Sequence, residues 1–279
     1  MAFAVRQFGR KESNPIPTMV VPDVARNFDD TLAPYIFDDF ASELVRRAAA
    51  LQPKRVLELS AGTGYFSRKL RDALPPDTEL VVTDLDPDML NLARSKFRPG
   101  ENVYFDQVDA INMGFPAGSF DLVICQLGAM FFPDKRAAFA GIRHVLEQHG
   151  TLLFNTWSPM AQNPFSQIVQ DGTSKFFPAL AQPQFYHLQF SYSDPFEISK
   201  DMTAGGFDHI DYENIDVKKQ VNEFTIFAHG LVHGSRLIDE IRSMRIDEVE
   251  LVHTIKDHLI AAFPDGIIPM RAILFEAWV

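Results

Sequence analysis

The 279 residues are 46% hydrophobic and 23% charged, an ordinary globular balance that excludes an intrinsically disordered chain. The formal net charge of -11 speaks against nucleic acid as a partner, because an acidic surface repels phosphate backbones. A single cysteine, Cys125, excludes an intrachain disulfide and a cysteine metal site, and no apolar run is long enough for stable membrane insertion.

The first 30 residues carry Pro15, Pro17 and Pro22 and read as an irregular arm. They lack a basic start followed by an apolar run, so no signal peptide is expected and a cytoplasmic protein is. Residues 38–51 put Phe40, Leu44, Val45, Ala48 and Leu51 on one helical face. From Arg55 the chain then alternates strand and helix. Val56–Leu59 is a short apolar strand, followed by the small-residue turn Ser60-Ala61-Gly62-Thr63-Gly64 and a helix with Phe66, Leu70, Ala73 and Leu74. Leu80–Thr83 is a second strand; Asp86 caps the next helix, with Pro87 at its first position and Met89, Leu90, Ala93 and Phe97 on its buried stripe. Val103–Gln107 and Asp121–Cys125 are the third and fourth strands. Asp134 caps a helix carrying Phe139, Ile142, Val145 and Leu146, and Thr151–Asn155 is the fifth strand. This rhythm means βαβ units around a parallel sheet buried on both faces.

Beyond Trp157 the rhythm breaks. Residues 158–192 are rich in aromatic side chains, Asp194-Pro195 opens a helix that Gly205-Gly206 ends, and residues 208–218 read as a strand. Residues 223–263 read as helical, and Met270–Ala277 as a final strand that closes the sheet. The expected organisation is one domain over 1–279. It has an N-terminal arm or lid (1–37), a cofactor-binding core (55–157), and two insertions (158–207 and 220–265) that cap the substrate.

Ligands of such sheets bind at the carboxyl ends of the strands, near the point where strand order reverses. Three acids stand there: Glu58 in the first strand, Asp84 at the end of the second and Asp109 after the third. Gly62 and Gly64 let backbone N–H groups approach a ligand that a Cβ would block. The helix that follows favours negative charge at its N-terminus, such as a carboxylate. Asp84 can accept hydrogen bonds from both hydroxyls of a ribose. Asp109 can accept a proton from an exocyclic amine, and Glu58 can orient the glycine loop or bind an ammonium group.

The run Val56 to Gly64 resembles the first motif of class I methyltransferases, and Thr83-Asp84-Leu85-Asp86-Pro87-Asp88-Met89-Leu90 resembles their second. Asp109-Ala110 with Phe115 to Asp121 resembles the third and fourth, and His144-Val145-Leu146 with Gly150 the segment before the fifth strand. The resemblance covers residues 28–157 and is nearest to the ubiquinone/menaquinone-type small-molecule methyltransferases. It implies an α/β, Rossmann-like, doubly wound and mostly parallel seven-stranded sheet with an antiparallel last strand. It implies S-adenosyl-L-methionine as cofactor, S-adenosyl-L-homocysteine as product, and methyl transfer to oxygen, nitrogen or carbon of a small, apolar or aromatic acceptor. Carried over by position, Ser60, Ala61, Gly62 and Gly64 flank the cofactor's amino-acid end. Asp84 holds the ribose, Leu85 and Met89 lie by the adenine, Asp109 and Ala110 read its edge, and Gln126 and Leu127 pass nearby. Ser60 stands where glycine is commonest. Gln148-His149-Gly150 replaces the usual Pro-Gly-Gly turn.

Other readings are weaker. A dehydrogenase using NAD(P) calls for a third loop glycine, where Ser67 stands. Tyr65 and Lys69 have the Tyr-x-x-x-Lys spacing but sit on the glycine loop's own helix. His229 and His233 share a helical face with Gly230 where a zinc hydrolase needs glutamate, so no metal is expected. A regulatory protein that binds the cofactor without turnover remains the alternative from another class. For the acceptor pocket, the positions after the fourth and fifth strands single out Met130, Phe131 and Trp157, and the N-terminal segment Phe28 and Tyr35. Tyr35, Tyr186 and His187 are bases by residue type, none assigned.

Overall fold

The computed structural model describes residues 21–279. The first 20 residues of the expected arm, with Pro15 and Pro17, lie outside the described residues. The remainder of that segment is helical, which corrects the irregular reading: α1 (Val21–Asn27), a π-helical turn (Phe28–Leu32) and α2 (Ala33–Ile36) lead into α3 (Asp38–Ala50). Pro22 lies in the first turn of α1, where a missing N–H has no intrahelical partner to lose, so it does not break the helix.

The alternating core follows as β1 (Arg55–Glu58), α4 (Tyr65–Ala73), β2 (Glu79–Asp84), α5 (Pro87–Ser95), β3 (Val103–Gln107), β4 (Phe120–Gln126), α6 (Lys135–Val145) and β5 (Leu146–Trp157). Three helices, α7 (Pro164–Ser174), α8 (Phe185–Gln189) and α9 (Pro195–Ala204), precede β6 (His209–Gln220). Three more, α10 (Phe224–His233), α11 (Leu237–Ser243) and α12 (Glu248–Ala262), precede β7 (Ile267–Trp278). The long helical stretch expected over 223–263 is therefore divided, at Gly234 and again at Met244–Asp247. β5 begins at Leu146 rather than Thr151, and its first residues pair irregularly with β4, with His149 at φ +67°.

The strand order is β3-β2-β1-β4-β5-β7-β6. β1 to β5 are parallel, and β7 runs antiparallel to both β5 and β6. This is the seven-stranded sheet with an antiparallel last strand that the resemblance implied. Order reverses between β1 and β4, so the carboxyl end of β1 opens on a crevice. On one face Leu44, Phe66, Leu70, Leu90 and Ala93 pack on Val56, Val82 and Ile124. On the other, Phe139, Ile142, Met202 and Phe207 pack on Leu57, Val81 and Val123. A third apolar cluster gathers Phe40 and Trp157 with residues of α7, α8, α10, α11 and α12, among them Phe165, Tyr186, Phe227, Ile238 and Ile255.

Candidate active site

The turn after β1 is built by contacts that its neighbours provide. Leu59 donates its N–H to the Ile124 carbonyl (2.9 Å), and Ala61 to that of Thr83 (3.0 Å), so the loop is tied to β4 and β2. The chain then turns through Ser60 at φ +54°, Gly62 at +56° and Gly64 at +77°. The two glycines serve different ends. A Cβ on Gly64 would lie 2.7 Å from Ala93, so its absence lets α4 pack on α5. A Cβ on Gly62 would meet nothing within 4 Å, so this residue borders open space.

Asp84 lies beside that space. Its Oδ2 accepts the Gly62 N–H (2.7 Å) and its Oδ1 the Asp86 N–H (2.9 Å), which fixes the carboxylate. Burial raises the Asp84 pKa, and these backbone donors oppose the rise. Glu58 lies deeper, only 1% exposed. Its Oε1 accepts from the Ser67 hydroxyl (2.8 Å), and its Oε2 has no partner among the described residues. Burial pushes this carboxyl up to about 8.

Along the β2–β3 side, Leu85 is 60% exposed, an open apolar surface beside Asp84, and its carbonyl accepts from the Gln107 side chain (2.9 Å). Met89 is half-buried in the first turn of α5. That turn is capped by Asp86, whose Oδ1 accepts from Asp88 (2.9 Å). Asp109 takes the Ile111 N–H on Oδ1 (3.1 Å), next to buried Ala110. On the β4 side the Gln126 amide donates to the Phe37 carbonyl (3.0 Å), tying the core to the N-terminal segment. Leu127 follows at φ +48°, its N–H donated to Asn155 Oδ1 (2.8 Å).

Hydrogen bonds thus tie Leu59, Ala61 and Gly62 to β4, β2 and Asp84, with Leu85, Met89, Asp109 and Ala110 following β2 and β3, and Gln126 and Leu127 at the end of β4. The donor set fits an adenosyl amino acid. The glycine side is free of Cβ, the Asp84 carboxylate can accept hydroxyl protons, and a buried carboxyl oxygen lacks a donor. The sequence reading missed Asp29, Thr63 and Asn155. The Thr63 hydroxyl donates to Asp29 (2.6 Å), whose other oxygen pairs with Lys96, so the π-helical turn is strapped over the glycine loop. No local pattern marks such a contact across 34 residues.

Among the proposed acceptor-pocket residues, Met130 and Trp157 are buried in the third cluster, and Phe28 and Tyr35 pack against it. Phe131 is exposed instead. The Trp157 indole is enclosed by Phe37, Phe40, Phe165 and Phe190, with ring centroids 5.3 to 6.2 Å away, and its Nε1 has no partner among the described residues. Of the bases considered by type, Tyr186 is buried, donates to the Leu231 carbonyl (3.3 Å) and is pushed above the usual phenol range, which unsuits it for taking a proton. Tyr35 packs on Phe227, and His187 is exposed. Tyr65 and Lys69 both engage Asp38 (2.7 Å each), binding α4 to α3. His229 and His233 stack on one another, and His233 meets Glu248 (2.9 Å).

Residues 56–150 match a family model described as a methyltransferase domain. A demethylmenaquinone methyltransferase of Deinococcus radiodurans is 35% identical over 129 residues, 44% of this chain and 53% of that protein. The match therefore spans about half of that relative's length. A ubiquinone/menaquinone biosynthesis C-methyltransferase of Proteus mirabilis is 25% identical over 228 residues, 76% of this chain and 91% of its own. Phosphoethanolamine N-methyltransferase 2 of Haemonchus contortus, solved with S-adenosyl-L-methionine, shares the fold with a TM-score of 0.58 at 16% identity, over 92% of this chain and 56% of its own. No helix among the described residues is long and apolar enough to cross a membrane. Motif register, strand order and relatives all lead away from a dehydrogenase: residues 56–150 carry a methyltransferase domain, and the chain is similar to S-adenosylmethionine-dependent methyltransferases of the ubiquinone/menaquinone biosynthesis type.

Proposed function

We propose that this protein transfers a methyl group from S-adenosyl-L-methionine to a small apolar or aromatic acceptor held under a cap built from residues 158–207 and 220–265, with residues up to 37 as a lid. The observation that carries the reading is the open, Cβ-free space at Gly62 beside a carboxylate already locked by two backbone donors. When bound, the cofactor supplies an electrophilic methyl group. Asp84 would hold the ribose hydroxyls, Leu85 and Met89 would cover the adenine, and Asp109 with Ala110 would meet its edge. Glu58 Oε2 and the loop N–H groups would face the amino-acid end.

The cap's share is alignment and exclusion of water. Its interior is apolar and continues into Trp157 at the end of β5 and Met130 in the turn that follows β4. A dispersing sulfonium charge needs little polar stabilisation, so the main contribution of such walls is orientation. The relatives' printed names, which include carbon and nitrogen methyltransferases, support methyl transfer to a small molecule and leave the acceptor atom open.

Calorimetric titration with S-adenosyl-L-homocysteine and with NADPH tests the reading. The first should bind and the second should not. Asp84→Ala should weaken S-adenosyl-L-homocysteine by about tenfold or more, the scale of losing hydrogen bonds to a charged acceptor. Gly62→Ala should weaken it too. Gly100→Ala, at φ +91° with equally open surroundings but at the other end of the sheet, should cost similar stability and leave affinity intact. Unchanged affinity in Asp84→Ala would contradict the ribose role, and turnover of labelled cofactor on a metabolite panel would separate an enzyme from a binding protein.

A further inference from the structure

Two non-glycine residues adopt the left-handed backbone conformation at the carboxyl ends of the adjacent strands β1 and β4: Ser60 at φ +54° and Leu127 at φ +48°. For residues with a Cβ this conformation is strained and persists only where surroundings enforce it. The enforcing group at Leu127 is visible. Asn155, 2% exposed on β5, pairs in the sheet with Gln126. Past Gln126 the chain leaves the sheet, and the Leu127 N–H leaves the ladder. The Asn155 side chain takes that N–H instead, at 2.8 Å.

What this turn positions lies on both sides of it. Leu127 itself belongs to the apolar cluster with Met130 and Trp157. The next residue, Gly128, is pressed on the glycine loop so closely that a Cβ there would lie 2.6 Å from the Ser60 Cβ and 2.8 Å from Cys125 Sγ. One short segment therefore touches the turn after β1 at Ser60 and the aromatic cluster at Leu127, and Ser60 fills room that Gly128 vacates.

We propose that Asn155 is a positioning residue for methyl transfer: through the Leu127 N–H it holds the segment that joins the glycine turn to the acceptor side. This rests on the reading of the open space at Gly62 as an S-adenosylmethionine site. Asn155→Leu removes the acceptor oxygen at similar volume, whereas Asn155→Asp keeps an oxygen in place.

The test is S-adenosyl-L-homocysteine affinity at a temperature where every variant is folded, with Leu74→Ala, buried at the end of α4 opposite the glycine loop, as a control for general destabilisation. Asn155→Leu should bind about tenfold more weakly, Asn155→Asp should recover most of that loss, and Leu74→Ala should bind as the wild type does. Equal affinity of wild type and Asn155→Leu, or an equal loss in Leu74→Ala, overturns the proposal. A wild type that binds no S-adenosyl-L-homocysteine overturns the underlying reading instead. Should Asn155→Leu fail to fold, amide exchange in the wild type decides: the Leu127 N–H should be protected like those of neighbouring β4 residues, and fast exchange refutes the bond.

Discussion

Glu58 shows how one side chain can be legible in kind but not in state. Its position in the first strand marked it for the cofactor end, yet nothing local to it foretold burial without a full set of donors. A carboxyl with its pKa at about 8 stays protonated in the native protein where the unfolded chain, at the ordinary 4.5, has released its proton. Stability is therefore fully present below about pH 4.5 and declines as pH rises toward 8, beyond which both states are ionised. The decline should reach a few kcal/mol, since each tenfold displacement in acidity is worth about 1.4 kcal/mol. Urea denaturation at pH 5 and pH 8 measures it, and Glu58→Gln should flatten the difference. A wild type equally stable at both values would refute the burial argument. Gly62 and Gly64, identical in the sequence reading, also separate only here. One faces open space and the other packs on Ala93, because the position of α5 decides which glycine has a neighbour.

Elements were the most readable scale. The caps at Asp86, Asp134 and Asp194 each accept from a backbone N–H of the first turn, at 2.9 Å, because a short carboxylate ahead of a helix satisfies donors that the helix leaves orphaned. Asp134→Ala should cost about 1 kcal/mol of unfolding free energy in a denaturant titration. Helices that carry a stripe on a 3.6-residue period were visible, as in α3 with Phe40, Leu44 and Ala48. Two stretches were not. The division of 223–263 occurs at Gly234, where a Cβ would lie 2.7 Å from the Gly230 carbonyl and 3.1 Å from Phe28, so the break is bound up with packing on the N-terminal segment. α7 was hidden because its buried face includes polar Ser166, Gln170 and Thr173, so no apolar stripe marks it, and α8 because five residues are too few to show a period.

At the scale of the molecule, the N-terminal segment and the glycine loop form a latch. Asp29 joins Thr63 of the loop and Lys96 beyond α5, and Phe28 meets the rings of Phe37 and Tyr65 edge-on. With the segment in the role of lid, Asp29→Ala should speed release of S-adenosyl-L-homocysteine severalfold in stopped-flow displacement, with a melting temperature close to the wild type's. The wild-type release rate should rise with salt, as a partly exposed ion pair is screened. An unchanged rate removes the lid role. The amino-acid sequence alone determined the alternation of strands and helices, the place of the glycine turn and the acids around it, because periodicity, capping and glycine chemistry act over a few residues. Tertiary structure alone decided that Trp157 is enclosed by rings, that Asp29 reaches the loop, and that Asn155 pins Leu127. The Leu127–Asn155 and Thr63–Asp29 bonds join residues 28 and 34 positions apart, and the rings around Trp157 come from the start of α3, from α7 and from the end of α8, so only the way sheet and helices pack brings them within reach.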